Sequence, residues 1–226
     1  GPALLMGAPW RDEGELRNAV LLLDDGEVKA VRYKRDLPNY GVFDEKRVFS
    51  EGPMPGPINF RDVRIGVPVC EDIWAPDVCE CLQESGAEFF LVPNGSPFEV
   101  DKREVRLQHA VARVTESGLP LAYVNQVGGQ DELVFDGGSF VLNGDCSLAA
   151  QQPMFVEDIQ LTEWRRDADG WSVTVTDRVE HPEGYEAIYC AMTLGLRDYV
   201  NKNGFPGVVL GMSGGIDSAL TAAVAV

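Results

Sequence analysis

Short apolar runs that stop at polar, proline or glycine residues, with helix-period segments between them, constrain this chain more than anything else in it. Runs at 64–70, 89–92, 121–125 and 208–212 have strand length and are rich in branched and aromatic residues. Between them, 77–86 reads as a helix with Asp77 near its start. Residues 101–117 carry Leu107, Val111 and Val114 at i, i+4 and i+7 before a stop at Gly118. Strands alternating with helices imply an α/β layered domain. Ahead of these, 18–23 and 28–34 form a hairpin pattern around Asp24-Asp25-Gly26, and the Pro- and Gly-dense stretch 37–57 reads as an extended loop. Further strand candidates are 135–143 and 171–176, the latter after a charged turn at 163–170.

The composition changes near 180. His181-Pro182-Glu183-Gly184 reads as a linker, and a strongly periodic helix follows. Tyr185, Ile188, Tyr189, Met192, Leu196, Tyr199 and Val200 fall on one stripe, and Asn203-Gly204 ends it. The expected organisation is a first domain over 1–178, a linker over 179–184 and the start of a second domain over 185–226. The chain lacks an initiating Met and stops inside a helix that opens near Ile216, so a piece of a longer protein is expected.

Charge and rare residues narrow the function. Nineteen basic residues against 36 acidic give a net charge of −17 over 226 residues. That balance argues against nucleic acid or an anionic membrane as the partner, while leaving room for a phosphate site built from backbone N–H groups. No apolar run reaches the roughly 18 residues of a membrane span and no leader is seen, so a cytoplasmic protein is expected. Five cysteines are an odd number and read as free thiols in a reducing compartment. Two histidines disfavour a multi-His zinc site and a Ser-His-Asp triad, and Cys79-x-Cys81 has no second ligand pair.

Two places carry chemistry. At the first, Cys70 ends an apolar run beside Glu71 and Asp72, the kind of strand end where α/β folds present reactive side chains. A thiol there is also an ordinary buried residue, and as a nucleophile it needs a lysine or carboxylate partner because histidine is scarce. Tyr33-Lys34-Arg35-Asp36-Leu37-Pro38, Phe43 to Phe49 and Gly66 to Asp72 resemble, in order and spacing, the nitrilase superfamily of C–N hydrolases. The resemblance implies a nucleophile at Cys70, a catalytic lysine at Lys34, a further catalytic glutamate at Glu45, and an oxyanion contact from the N–H of Glu71. The family's general-base glutamate lies on a strand before the region resembling residues 3–9, and no residue here matches it; Glu13 and Glu15 sit in a polar turn.

At the second place, Leu210-Gly211-Met212-Ser213-Gly214-Gly215-Ile216-Asp217-Ser218, an apolar run leads into a glycine turn that opens a helix. Glycines let N–H groups approach an anion, and the helix N-terminus favours it. Ser and Asp there also serve as plain helix caps. The S-G-G-x-D-S string resembles the pyrophosphate loop of adenylating ATP pyrophosphatases, which implies ATP contacts at Ser213, Gly214, Gly215, Ile216, Asp217 and Ser218, with Asp217 toward Mg²⁺. No Gly-Lys-Ser/Thr is present, so it is not a Walker A loop.

The two together, with Val92 to Phe98 and Tyr123 to Glu132, are similar to the glutamine-dependent NAD⁺ synthetase family. That resemblance implies a nitrilase-like four-layer αββα sandwich followed by the first helix-strand-loop-helix of a Rossmann-like adenine nucleotide alpha hydrolase domain. It further implies glutamine contacts at Tyr40, Ser96 and Lys102, although each also reads as a packing, turn or solvated residue. The implied small molecules are glutamine, ATP with Mg²⁺ and nicotinic acid adenine dinucleotide, with no tightly bound cofactor, in a homo-oligomeric full-length protein. A stand-alone nitrilase-type amidase, an asparagine or GMP synthetase, and a non-catalytic module are the rival readings. The pyrophosphate loop counts against the first, and Lys34 with Cys70 against the second.

Overall fold

The computed structural model describes residues 1–176 and 179–226. The expected end of the first domain at 178 lies outside these residues. The chain opens with an antiparallel meander, β1 (Leu4–Asp12), β2 (Glu15–Asp24) and β3 (Glu27–Tyr33). The β2–β3 turn, Asp25-Gly26, has φ of 52° and 76°, the pair of left-handed residues that suits the twist of a two-residue hairpin. The loop of 37–57 contains one short helix, α1 (Glu45–Val48).

A six-stranded mixed sheet follows. Its strands are β4 (Ile58–Phe60), β5 (Val63–Gly66), β6 (Phe89–Asn94) and β7 (Leu121–Asn125), joined by α2 (Asp77–Glu84) and α3 (Lys102–Ser117). A hairpin, β8 (Val127–Gln130) with β9 (Leu133–Asp136), leaves the sheet, and β10 (Phe140–Leu142) and β11 (Leu148–Gln151) return to it. The order is β11-β10-β7-β6-β5-β4, with β5, β6 and β7 parallel at the centre. The expected strand over 135–143 is split in two because Gly137 and Gly138 turn at φ of 67° and 63°.

Helices α2 and α3 cover one face of this sheet through Val78, Leu82, Ala110 and Val114 against Phe90, Val92 and Leu121. Each large side chain so enclosed contributes about 1.5–3 kcal/mol. The other face packs on the meander through Val20, Leu22, Ile65, Val67 and Phe89. The described residues thus supply three layers of the αββα sandwich, β-β-α, and the outer face of the meander leaves Leu4 and Met6 exposed. On α3 the buried stripe is Arg106, Ala110, Arg113 and Val114. Leu107, expected inside, lies outside it.

Residues 163–170 are not a plain turn. They form β12 (Trp164–Asp167), which pairs with β13 (Gly170–Val173), and the two tryptophans pack on Phe89. His181, expected in a free linker, is tied down: its ring nitrogens contact Gln151 Nε2 at 3.1 Å and the Gln152 carbonyl at 2.7 Å.

Helix α4 (Gly184–Lys202) has the expected length, but its buried face is Ala187, Ala191 and Leu194, packed on Met154 and Phe155. The Tyr/Met stripe faces outward, with Tyr185 91% exposed. The docked side uses small residues: a Cβ on Gly129 of β8 would come within 3.0 Å of Gly195 Cα. Helix α5 (Ile216–Ala225) follows. The expected strand over 208–212 does not form, and Val208, Val209 and Met212 are exposed. An extended run becomes a strand only by pairing, and none of the described strands pairs with it. No helix among the described residues is long and apolar enough to cross a membrane.

Candidate active site

Strand β5 ends at Gly66, short of the cysteine, because Pro68 has no N–H to give a ladder. Val67 and Val69 are buried between the sheets. Cys70 then turns at φ 51°, a left-handed conformation costing a non-glycine residue about 1–2 kcal/mol, and opens a 3₁₀ turn over Cys70–Ile73. Strain of this kind, held in place by the surroundings, is a mark of functional positions. The Asp72 N–H donates to the Val69 carbonyl at 3.1 Å and the Trp74 N–H to the Glu71 carbonyl at 2.9 Å.

Lys34 arrives from the other sheet. It continues the β2–β3 ladder by one bond, N–H to the Asn18 carbonyl at 2.8 Å, and is 1% exposed. Its Nζ donates to Glu45 Oε1 at 2.7 Å, and Asn18 Nδ2 donates to Glu45 Oε2 at 3.3 Å. A lysine this enclosed is tolerated only with a paired carboxylate. Lys34, Glu45 and Cys70 line one cavity of about 410 Å³ with Asn94, Gly95 and Gln126. Burial pushes the Cys70 thiol above its usual pKa. The Lys34 charge and the Gly95 N–H pull it back down, and Glu45 and Glu71 add to the rise.

Glu71 lines an adjoining cleft of about 660 Å³, with Phe49 common to both hollows. Tyr40 donates its hydroxyl hydrogen to Glu71 Oε2 at 2.6 Å; burial and this carboxylate hold its pKa above the usual tyrosine value. Lys102, at the start of α3, has its Nζ 3.3 Å from both Glu99 oxygens and 5.2 Å from the centre of the Trp74 ring. Ser96 is elsewhere: it is buried, and its hydroxyl accepts from Arg106 Nε at 3.0 Å.

Ser96 belongs to a polar floor that sequence reasoning missed. The β6–β7 ladder ends at Asn94 and Asn125, and the Asn125 amide then extends it: Oδ1 accepts from the Ser96 N–H at 3.0 Å and Nδ2 donates to the Ser96 carbonyl at 3.1 Å. Arg106 donates to the Ser96 and Pro97 carbonyls at 2.9 and 2.8 Å and pairs with Asp136 Oδ2 at 2.7 Å. Both side chains of that pair are at least 95% buried, by 5% and 2% exposure. The floor fixes the segment 94–97, and with it the Gly95 N–H beside the sulfur. Its one signal in the sequence is the spacing of Arg106 and Arg113, which puts both on the stripe of Ala110 and Val114.

The glycine loop lies apart, beyond α4. Gly214 has φ 83°, Ser213 and Ser218 hydroxyls are 3.1 Å apart, and Ser218 Oγ donates to the Gly215 carbonyl at 3.0 Å. Asp217 is in the first turn of α5, where Ile216 is exposed. Among the described residues, no group of three His, Cys, Asp or Glu is gathered for a metal.

The model of the carbon-nitrogen hydrolase family matches residues 1–168. This chain belongs to the carbon-nitrogen hydrolase family. The NAD synthase model matches residues 188–226. The chain is 51% identical over its whole length to a glutamine-dependent NAD(+) synthetase of Rhodobacter capsulatus and 41% identical over 95% of its length to one of Acinetobacter baylyi. It spans 41% and 39% of those proteins, about two-fifths. Among solved structures, the glutamine-dependent NAD⁺ synthetase of Acinetobacter baumannii in complex with ADP superposes with a TM-score of 0.92 at 42% identity, covering 99% of this chain and 42% of that one. A mutant amidase from Nesterenkonia sp. AN1, carrying acrylamide added at its active-site cysteine, gives a TM-score of 0.59 at 31% identity over 66% of this chain and 58% of its own.

Proposed function

We propose that the full-length protein is a glutamine-dependent NAD⁺ synthetase, with its glutaminase centre at Cys70. The observation that carries this reading is the ion pair of buried Lys34 with half-buried Glu45 in the same cavity as a strained, partly enclosed thiol. In this mechanism the Cys70 thiol gives its proton to a glutamate N-terminal to residue 3, as the family pattern implies. The thiolate attacks the side-chain amide carbon of glutamine, and the C=O electrons move onto oxygen. Lys34 and the Glu71 N–H stabilise that oxyanion. Collapse expels ammonia, which takes the proton back from the base, and leaves a thioester on Cys70 that water hydrolyses to glutamate. Glu45 holds the Lys34 ammonium in place throughout. Tyr40 and Glu71 face the α-ammonium of the substrate, Lys102 its α-carboxylate, and Ser96 supports the floor beneath it.

At the second centre, the N–H groups of Ser213, Gly214, Gly215 and Ile216 and the hydroxyls of Ser213 and Ser218 cradle the phosphates of ATP, which enters with Mg²⁺ held by Asp217. The carboxylate of nicotinic acid adenine dinucleotide attacks the α-phosphate and releases pyrophosphate, and ammonia then displaces AMP. The test is NAD⁺ formation by the full-length protein with glutamine or ammonium as nitrogen source. Cys70→Ala is expected to abolish glutamine-driven synthesis and leave ammonium-driven synthesis intact, and Asp217→Ala to impair both. Glutamine-driven synthesis that survives Cys70→Ala would falsify the nucleophile assignment.

A further inference from the structure

Asp72 is completely buried, yet it has no part in the chemistry above. Its carboxylate accepts three backbone hydrogen bonds from two separate segments. Oδ1 takes the N–H groups of Arg35 at 3.1 Å and Asp36 at 2.7 Å, and Oδ2 takes the N–H of Val69 at 2.8 Å. The first two follow directly on Lys34; the third precedes Cys70. Those segments belong to different sheets, β3 to the meander and β5 to the six-stranded sheet. Among the described residues, every hydrogen bond joining 34–36 to 69–72 runs through this one side chain.

We propose that Asp72 is a positioning residue: its carboxylate fastens the Lys34 end of β3 to the Cys70 turn and so sets the separation between the ammonium and the sulfur. This rests on Lys34 and Cys70 being the reactive pair. A carboxylate suits the task because it accepts on both oxygens and its bonds to N–H groups are charge-assisted. The groups facing it are Asp36, which opposes its ionisation, and Lys34, which favours it; Cys79 lies on the helix side. Burial pushes its pKa up to about 6 against the pull of the Asp36 and Val69 N–H groups, so it is charged at neutral pH. The tie also braces Cys70 in its left-handed conformation, since the Val69 N–H and the Asp72 N–H close the turn on either side of it.

Asparagine at this position keeps one acceptor and turns an N–H₂ toward the Val69 donor. The test is the rate at which iodoacetamide alkylates Cys70 in the full-length protein from pH 5 to 10, with the site of modification mapped by mass spectrometry. Two effects of Asp72→Asn have opposite signs. Losing a negative charge near the thiol lowers the midpoint of the pH profile, and losing the hold on Lys34 raises it. The expected result is an upward shift of about one pH unit or more. Alongside it, kcat for glutamine-driven NAD⁺ formation falls at least tenfold, with KM for glutamine and ammonium-driven synthesis within twofold of wild type. Should Asp72→Asn not fold, Asp72→Glu carries the test, because it keeps the charge but displaces the tie by one methylene. A midpoint that stays or moves down overturns the proposal, even if melting temperature falls. A wild-type profile in which Cys70 is unreactive, or dispensable for glutamine use, overturns the underlying site reading instead.

Discussion

Removing the guanidinium of Arg106 is a sharp test of the polar floor under Cys70. Arg106→Met keeps much of the side-chain volume and deletes every donor. Asp136, 2% exposed in its side chain, then retains one bond, from Asn125 Nδ2 at 3.3 Å. An uncompensated buried carboxylate costs about 3–5 kcal/mol when its partner is removed. The Pro97 carbonyl loses its Arg106 donor, while the Ser96 carbonyl keeps Asn125; an orphaned buried carbonyl adds about 1–3 kcal/mol. Relaxation and water entry offset part of the sum, so a loss of about 3–5 kcal/mol is expected from urea unfolding of the full-length protein. Adding Asp136→Asn to Arg106→Met removes the stranded charge and keeps an acceptor for Asn125. The double variant should therefore recover about 1.5 kcal/mol or more of the single loss, a coupling of the size seen within one network. A single variant that loses under about 1 kcal/mol, or a double variant less stable than either single, would refute the view that this pair holds the floor by charge.

Two further outcomes follow from the same geometry. The pKa of Asp72 is raised in the folded state to about 6 from 3.8, so between those values this carboxyl holds its proton more firmly in the folded protein than in the unfolded chain. Its contribution to stability is fully present below about pH 4 and is lost as pH rises through 6, roughly 3 kcal/mol in all; in thermal unfolding from pH 4 to 7, the wild type should lose about this much more stability than Asp72→Asn. A side chain at Gly195 has its Cβ 3.0 Å from Val134 Cγ2, so Gly195→Leu should lift α4 from the β8–β9 hairpin. Limited proteolysis between 174 and 184 should then speed up several-fold, and an unchanged rate would mean that α4 is not held at this contact.

The sequence displays what depends on local chemistry. The β2–β3 turn, the stop of α3 at Gly118 and the helix over 184–202 are set by nearby residues and were legible. What depends on the partner was not. The stripe of Tyr185, Tyr189, Met192 and Tyr199 looks like a core face by period, but the side that docks is the one made of Ala187, Ala191 and Gly195, because backbone approach there matters more than apolar area. Residues 208–212 have strand composition and no described neighbour to pair with. At the site, Cys70, Lys34 and Glu45 stand in a recognisable order along the chain, and the structure brings them to one cavity. Asp72, Asn125, Arg106 and Asp136 stayed hidden because each works through backbone groups or a buried charge, and side-chain identity alone does not reveal which backbone it will meet.

Helix α4 carries a consequence for how the molecule divides. The Asp198 carboxylate takes the Gly129 N–H at 2.7 Å and the Lys202 ammonium donates to the Gly129 carbonyl at 2.6 Å; with the cluster of Met154, Phe155 and Leu194, these bonds make α4 part of the hydrolase body. By sequence, most of it falls within the NAD synthase match. The start of that match and the end of the helix that closes the hydrolase body are thus 14 residues apart, at 188 and 202. A protein engineer who cuts at 180 to isolate the glutaminase would strip off a wall of it, exposing Met154 and Phe155. A cut placed after Lys202 would leave that wall standing.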